Sequence, residues 1–117
     1  MLHDPATMTE NAKSFADGAE GFLAHVEGDR MLVKVWDEVP RERQAPGEAE
    51  VELYVDKTGR FVEIEQQGPY EELAPGASLR WTVHLLLLRL GPHVPVELGS
   101  ALLVTAARAA AGYVREP

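Results

Sequence analysis

The sequence predicts a mainly β fold: an antiparallel β-sandwich with a C-terminal α-helix. Three observations carry this reading. Val51, Leu53 and Val55 alternate with Glu50, Glu52 and Tyr54, and Val62 and Ile64 alternate with Phe61, Glu63 and Glu65. A period of two marks strands with one apolar face. Turn signals containing Gly and Pro punctuate the apolar runs. One Ala-rich segment alone, roughly residues 100 to 114, has helical spacing.

The elements follow in order. Phe22–Val26 and Met31–Trp36 flank Glu27-Gly28-Asp29-Arg30, a hairpin pattern. Residues 37–47 hold two prolines and no period, so they form a long loop suited to rim a site. Asp56-Lys57-Thr58-Gly59 reads as a four-residue turn. Val55 then faces Arg60, Leu53 faces Val62 and Val51 faces Ile64. A slip of one residue sets Leu53 against Glu63, so burial selects the first register. Gly68-Pro69 breaks the strand, and Leu73-Ala74-Pro75-Gly76 is a second turn. Leu79–Leu90 reads as one long strand, apolar on both faces in its second half and stopped by Gly91-Pro92.

Ser100 is the expected N-cap of the helix, and Leu102, Leu103, Ala106, Ala110, Tyr113 and Val114 form its apolar stripe. Leu86, Leu88 and Leu90 need a cover. Either the helix or a second copy in a homodimer supplies it. Residues 1–14 read as a loose arm, with Met8 also suited to an internal position of a longer parent, and 15–117 as one domain.

Bulk properties exclude several classes. A chain of 117 residues builds one domain at most. Nineteen acidic against 11 basic residues give a net charge of −8, which disfavours nucleic acid and anionic membrane as partners. There is no cysteine, hence no disulfide or thiolate site. His3, His25, His84 and His93 lack metal-ligand spacing, so no metal and no cofactor is expected. Ser14, Ser78 and Ser100 lack a nucleophile-elbow context. The longest apolar run, Leu85–Leu88, is far short of a membrane span, and the opening residues lack a secretory pattern, so the expected location is cytoplasmic.

The chosen register gathers acidic side chains on the other face: Glu52 opposite Glu63, Glu50 opposite Glu65, Tyr54 opposite Phe61. Opposed like charges destabilise a ladder by a few tenths to about 1 kcal/mol. Two readings compete. The face is simply solvated, or it is a pocket floor where carboxylates accept sugar hydroxyls and rings cover the apolar faces of pyranoses. A desolvated, paired glutamate is also raised towards the range a general acid or base needs. Trp36 has two readings as well: a core residue, or a ring stacking at the site edge. Trp81 reads as core.

The order Leu-Val-Lys-Val-Trp-Asp, Glu-Val-Glu-Leu-Tyr-Val, Phe-Val-Glu-Ile-Glu-Gln-Gln-Gly-Pro-Tyr and Leu-Ala-Pro-Gly-Ala-Ser-Leu-Arg-Trp, within Phe22 to Ala110, resembles the C-terminal portion of a bacterial family of unknown function with a galactose-mutarotase-like supersandwich. The resemblance implies a partial supersandwich and a base on the strand before the Pro-Gly turn, where Glu63 and Glu65 both match. In related sugar mutarotases the acid-partner histidines come from earlier in the chain, a full supersandwich needs well over twice this length, and Ala77 stands where the resembled family carries Glu. The implied function is a carbohydrate-binding, mutarotase-like module, truncated and without independent catalysis. Its binding residues are Trp36, Glu52, Tyr54, Glu63 and Glu65. If it is active, it is an aldose 1-epimerase-like isomerase using Glu63 or Glu65. The alternative is a β-sandwich interaction or oligomerisation module with no small-molecule ligand.

Overall fold

A computed structural model describes residues 5–7 and 9–115. The element order is β1 (Ala12–Ala16), β2 (Phe22–Glu27), β3 (Arg30–Trp36), β4 (Val51–Val55), β5 (Val62–Gln66), β6 (Val83–Arg89) and α1 (Ala101–Arg115), with short 3-10 turns at Pro5–Thr7 and Arg41–Arg43. The fold is mainly antiparallel β with a C-terminal helix, as the sequence predicts. The described residues form two three-stranded sheets, ordered β1-β4-β5 and β2-β3-β6. No helix among the described residues is long and apolar enough to cross a membrane.

Within the segment expected as one domain, two compact units separate. One holds Phe22–Trp36 and residues 83–115; the other holds residues 5–7 and 9–21 together with Asp37–Thr82.

In the first unit, β2 and β3 form the expected hairpin, with a turn of only Gly28-Asp29. Gly28 has φ 59°, and among the described residues no non-glycine residue has positive φ. Positive φ at the first central position alone is the demand of a type II′ turn, which twists with its strands. The turn also anchors β6: the Leu90 amide donates to the Asp29 carbonyl at 2.7 Å, and Arg89 Nε donates to the Asp29 carboxylate at 2.7 Å.

Helix α1 lies on this sheet. Its buried alanines, Ala107, Ala110 and Ala111, meet Met31, Val33 and Val35, with Leu86, Leu88, Leu90 and Val26 around them. The cover needed by Leu86, Leu88 and Leu90 is thus the chain's own helix. Ser100 is its N-cap, its Oγ accepting the Leu103 amide at 3.4 Å. The buried stripe is rotated from the expected one: Leu103, Ala106, Ala107, Ala110, Ala111 and Val114 face the sheet, while Leu102 and Tyr113 are exposed. Small side chains let the helix axis approach the strands, and Leu or Tyr at the closest points would push it away.

Strand β6 is shorter than the expected Leu79–Leu90. Its first residue, Val83, pairs with Trp36, the last residue of β3. Residues 79–82 therefore have no strand to pair with. Trp81 instead lays its ring on Gly68, where a Cβ would stand 2.9 Å from the indole.

In the second unit, β4 is central and β1 and β5 are its edges. Residues 12–14, expected to belong to a loose arm, are strand residues of β1; Met8 and His3 lie outside the described residues. The β4–β5 register also differs from expectation. Leu53 pairs with Ile64, Val55 with Val62 and Glu52 with Glu65. Asp56 is the reason. Its amide donates to the Phe61 carbonyl at 3.3 Å, extending the ladder by one pair. Its carboxylate accepts the Thr58 amide and hydroxyl, folding the chain into an Asx turn. The hydroxyl contact holds the Asp56 carboxyl below its ordinary range. The shift is two residues, so every side chain keeps its face.

Replacing Ala107 with Leu should overpack the helix–sheet contact and cost about 1–3 kcal/mol, whereas Ala109→Leu, on the exposed face, should change stability by less than about 0.5 kcal/mol. Denaturant unfolding of the two variants measures the difference.

Candidate functional site

The candidate site is the polar face of the sheet β1-β4-β5. Direct pairing sets two rows across it: Lys13, Tyr54 and Glu63 in one, Phe15, Glu52 and Glu65 in the next. Glu50 continues the face one step along β4, where its carbonyl accepts the Gln67 amide at 2.8 Å.

The acidic side chains differ sharply in environment. Glu50 is fully buried. One carboxylate oxygen accepts the Val39 amide at 2.8 Å and the other accepts the Gly18 amide at 3.0 Å. A carboxylate leaves water only when its lone pairs find such donors. Gln44 Nε2 donates to the Val39 carbonyl at 3.0 Å, and the Tyr70 amide donates to the Arg43 carbonyl at 2.8 Å. The loop expected to rim a site is thus pinned over the Glu50 end of the face.

Glu52 is buried too, at 6% exposure. Lys13 Nζ sits 2.5 Å from its carboxylate and 5.4 Å from the centre of the Phe15 ring. The hydrogen bond from Lys13 to Glu52 raises the lysine above its ordinary value of 10.5. This cation also answers the opposition of Glu52 and Glu65 across the ladder.

Glu63 and Glu65 are exposed on the edge strand β5. Beside them, Tyr54 and Phe61 place their ring centres 5.9 Å apart with planes 30° from parallel. Phe15 and Phe61 are each about half exposed, at 52% and 48%. The face therefore offers apolar rings and carboxylates to solvent, on an open sheet. Two hollows, of about 550 and 290 Å³, gather around the β2–β3 turn and the end of β6, and neither is lined by Glu52, Tyr54, Glu63 or Glu65.

Four of the five expected binding residues share this face: Glu52, Tyr54, Glu63 and Glu65. Trp36 does not join them. It ends β3 in the other sheet and is 2% exposed, so its ring is a buried structural element with no face left for stacking on a ligand. Glu50 is an anchor, and the expected Glu50–Glu65 opposition is replaced by Glu52–Glu65. Lys13 and Phe15 were missed. Their signal was an alternation of small and large residues, Ala12-Lys13-Ser14-Phe15-Ala16.

Fold and face together define a mainly antiparallel β domain with an acidic and aromatic sheet surface. The chain belongs to the DUF4380 family, a domain of unknown function whose family model matches residues 2–84. That span contains all of β1 to β5, and with them the whole candidate face. No curated protein and no solved structure matches the chain.

Two outcomes follow from this geometry. Glu50→Ala should leave the Gly18 and Val39 amides buried without an acceptor, costing about 1–3 kcal/mol for each; thermal unfolding against Glu50→Gln, which keeps an acceptor for one of them, should show the larger loss in Ala. The Lys13–Glu52 pair stabilises the fold fully below the ordinary lysine value of 10.5 and loses that contribution as pH rises through the raised folded value. Stability should thus fall at strongly alkaline pH more steeply in the native chain than in Lys13→Met, as followed by denaturant midpoints across the alkaline range.

Proposed function

We propose that the open face of the sheet β1-β4-β5 binds a carbohydrate without transforming it. The observation that carries this reading is the Tyr54–Phe61 ring pair set beside the exposed carboxylates of Glu63 and Glu65. A pyranose presents an apolar face ringed by hydroxyls. Rings cover the first, and carboxylates accept hydrogen bonds from the second. Phe15, half exposed two strands from Glu65, extends the surface for a second sugar unit. The resemblance of Phe61–Tyr70 and Leu73–Trp81 to mutarotase-like supersandwiches supports a sugar over other polyols.

Catalysis forms no part of the proposal. Glu63 and Glu65 stand in solvent, and a base for mutarotation needs a desolvated carboxylate facing an acid partner. His25 and His84 belong to the other sheet. A second reading, an interaction module, draws on a different observation: Leu85 and Leu87 are exposed on β6.

Titration of the labelled chain with aldoses and their oligomers should shift the amide resonances of Tyr54, Phe61, Glu63 and Glu65 together. Tyr54→Ala and Phe61→Ala should abolish the shifts, and Glu63→Gln or Glu65→Gln should weaken binding several-fold. Freshly dissolved glucose should mutarotate at the buffer rate. Unmoved resonances across the sugar panel would remove the proposal; a rate above buffer that Glu63→Gln or Glu65→Gln abolishes would replace it with an epimerase.

A further inference from the structure

Two arginines stand side by side where the β2–β3 turn meets the end of β6. Arg30 opens β3, Arg89 closes β6, and the register pairs them directly. Their spacing follows from the turn. Glu27 and Arg30 flank its two residues, so Arg30 directs its backbone groups to β2. The next pair along, Asp29 and Leu90, is the one bonded to β6, the Leu90 amide donating to the Asp29 carbonyl. Arg30 and Arg89 are therefore a non-hydrogen-bonded pair, with Cα atoms about 4.5 Å apart. Both side chains lie on the face away from the helix.

Like charges so placed destabilise a ladder, and these two meet in a chain with 19 acidic residues against 11 basic. Their hydrogen-bonding capacity is only partly used. Arg89 gives its Nε to the Asp29 carboxylate at 2.7 Å, which orients the guanidinium and leaves its two terminal amino groups. Arg30 makes no salt bridge among the described residues.

The pair lies at the junction of the two hollows. Arg30, Leu87 and Leu88 bound the smaller, and Leu90, Pro92, Val94 and Val96 bound the larger, of about 550 Å³; Asp29 and Arg89 line both. The Val94 amide donates to the Gly91 carbonyl at 3.1 Å, closing a turn that brings Val94 back beside Leu90. Leu90 also packs on the helix–sheet core, so the larger hollow has a fixed apolar floor. Its volume is that of a small-molecule site.

We infer that this corner of the β2-β3-β6 unit binds a monocarboxylate with an apolar tail. The carboxylate sits on the terminal amino groups of Arg30 and Arg89, and the tail lies along Leu90, Pro92, Val94 and Val96. A planar carboxylate matches the guanidinium fork in shape and charge. Asp29 offsets one arginine, which leaves one positive charge to balance. Glu27, beyond Arg30 on β2, disfavours a second negative charge, so the site selects a carboxylate over a phosphate ester. The inference does not draw on the carbohydrate face, whose residues belong to the other sheet.

Titration of the labelled whole chain with octanoate tests it. The amide resonances of Asp29, Arg30, Leu90 and Val94 should move together. Affinity should rise by up to about fourfold for each methylene added from butyrate to octanoate. Octanol and octyl phosphate should each bind about tenfold more weakly than octanoate. Arg89→Gln would also break the Asp29 contact, so the deciding variant is Arg30→Gln, at an exposed position. It should weaken octanoate several-fold while circular dichroism stays native. Val96→Ser, at a site 47% exposed, should reduce the gain per methylene. Octanoate that moves none of these resonances, or only those of Leu85 and Leu87, overturns the inference. So does octanol or octyl phosphate binding as tightly as octanoate, or an Arg30→Gln chain that binds like the native one.

Discussion

The carboxylate of Glu50 is the constraint on which the β1-β4-β5 unit depends. Its two oxygens take the amides of Gly18 and Val39, which lie 32 and 11 residues away in sequence. One side chain thus joins the end of β1, the start of the 37–47 loop and the central strand. A backbone amide that ends a strand or enters a loop must find an acceptor once water is excluded. Here a fixed acceptor at one position satisfies two such amides and so decides where both segments lie. The same contact divides the acidic face. The Glu50 end is roofed by loop, Glu52 is neutralised by Lys13, and Phe15, Phe61, Glu63 and Glu65 stay open to solvent.

The β2-β3-β6 unit is stabilised by a different means. The buried residues of its core are Met31, Val33 and Val35 on the sheet side and three alanines on the helix side. Alanine contributes little buried area per residue, but it costs no side-chain entropy and permits close approach, which brings the helix backbone onto Met31, Val33 and Val35. One face of β6 is completed in this way. The other face and the outer edge are left to Leu85 and Leu87. This edge contrasts with the glutamate-bearing edge of β5: one is apolar and the other acidic. Glu63 and Glu65 serve their own sheet as well, since charges on an edge strand oppose strand addition.

Much of the fold was legible because hydrophobic period encodes parity. The faces of β4 and β5, the β2–β3 hairpin and the position of α1 all follow from it. Parity is blind to a shift of two. The Asx turn at Asp56 moves the register by that amount, and no apolar residue changes sides. The helix stripe was misread because alanines carry little weight in an apolar pattern, although packing favours them at the closest contact. Strand β1 was hidden for a related reason: Ala12, Ser14 and Ala16 are small, so their alternation with Lys13 and Phe15 does not look like a buried face.

Of the candidate site, the acidic and aromatic membership of one face was readable, but not the fate of its members. Glu50, Glu52 and Glu63 look alike in a polar period of two. What separates them is tertiary: two amides from distant segments for Glu50, a lysine from β1 for Glu52, and an exposed position on β5 for Glu63. Trp36 ended as core for the same kind of reason, since its burial depends on contacts that no local pattern records.

Amide hydrogen exchange at Gly18 and Val39 tests the central claim most directly. Both lie outside the strands, where exchange is ordinarily fast. With Glu50 as acceptor they should exchange as slowly as the central-strand amides of β4, and Glu50→Ala should release both together while the β2-β3-β6 amides keep their protection. Fast exchange at either position in the native chain would contradict the account.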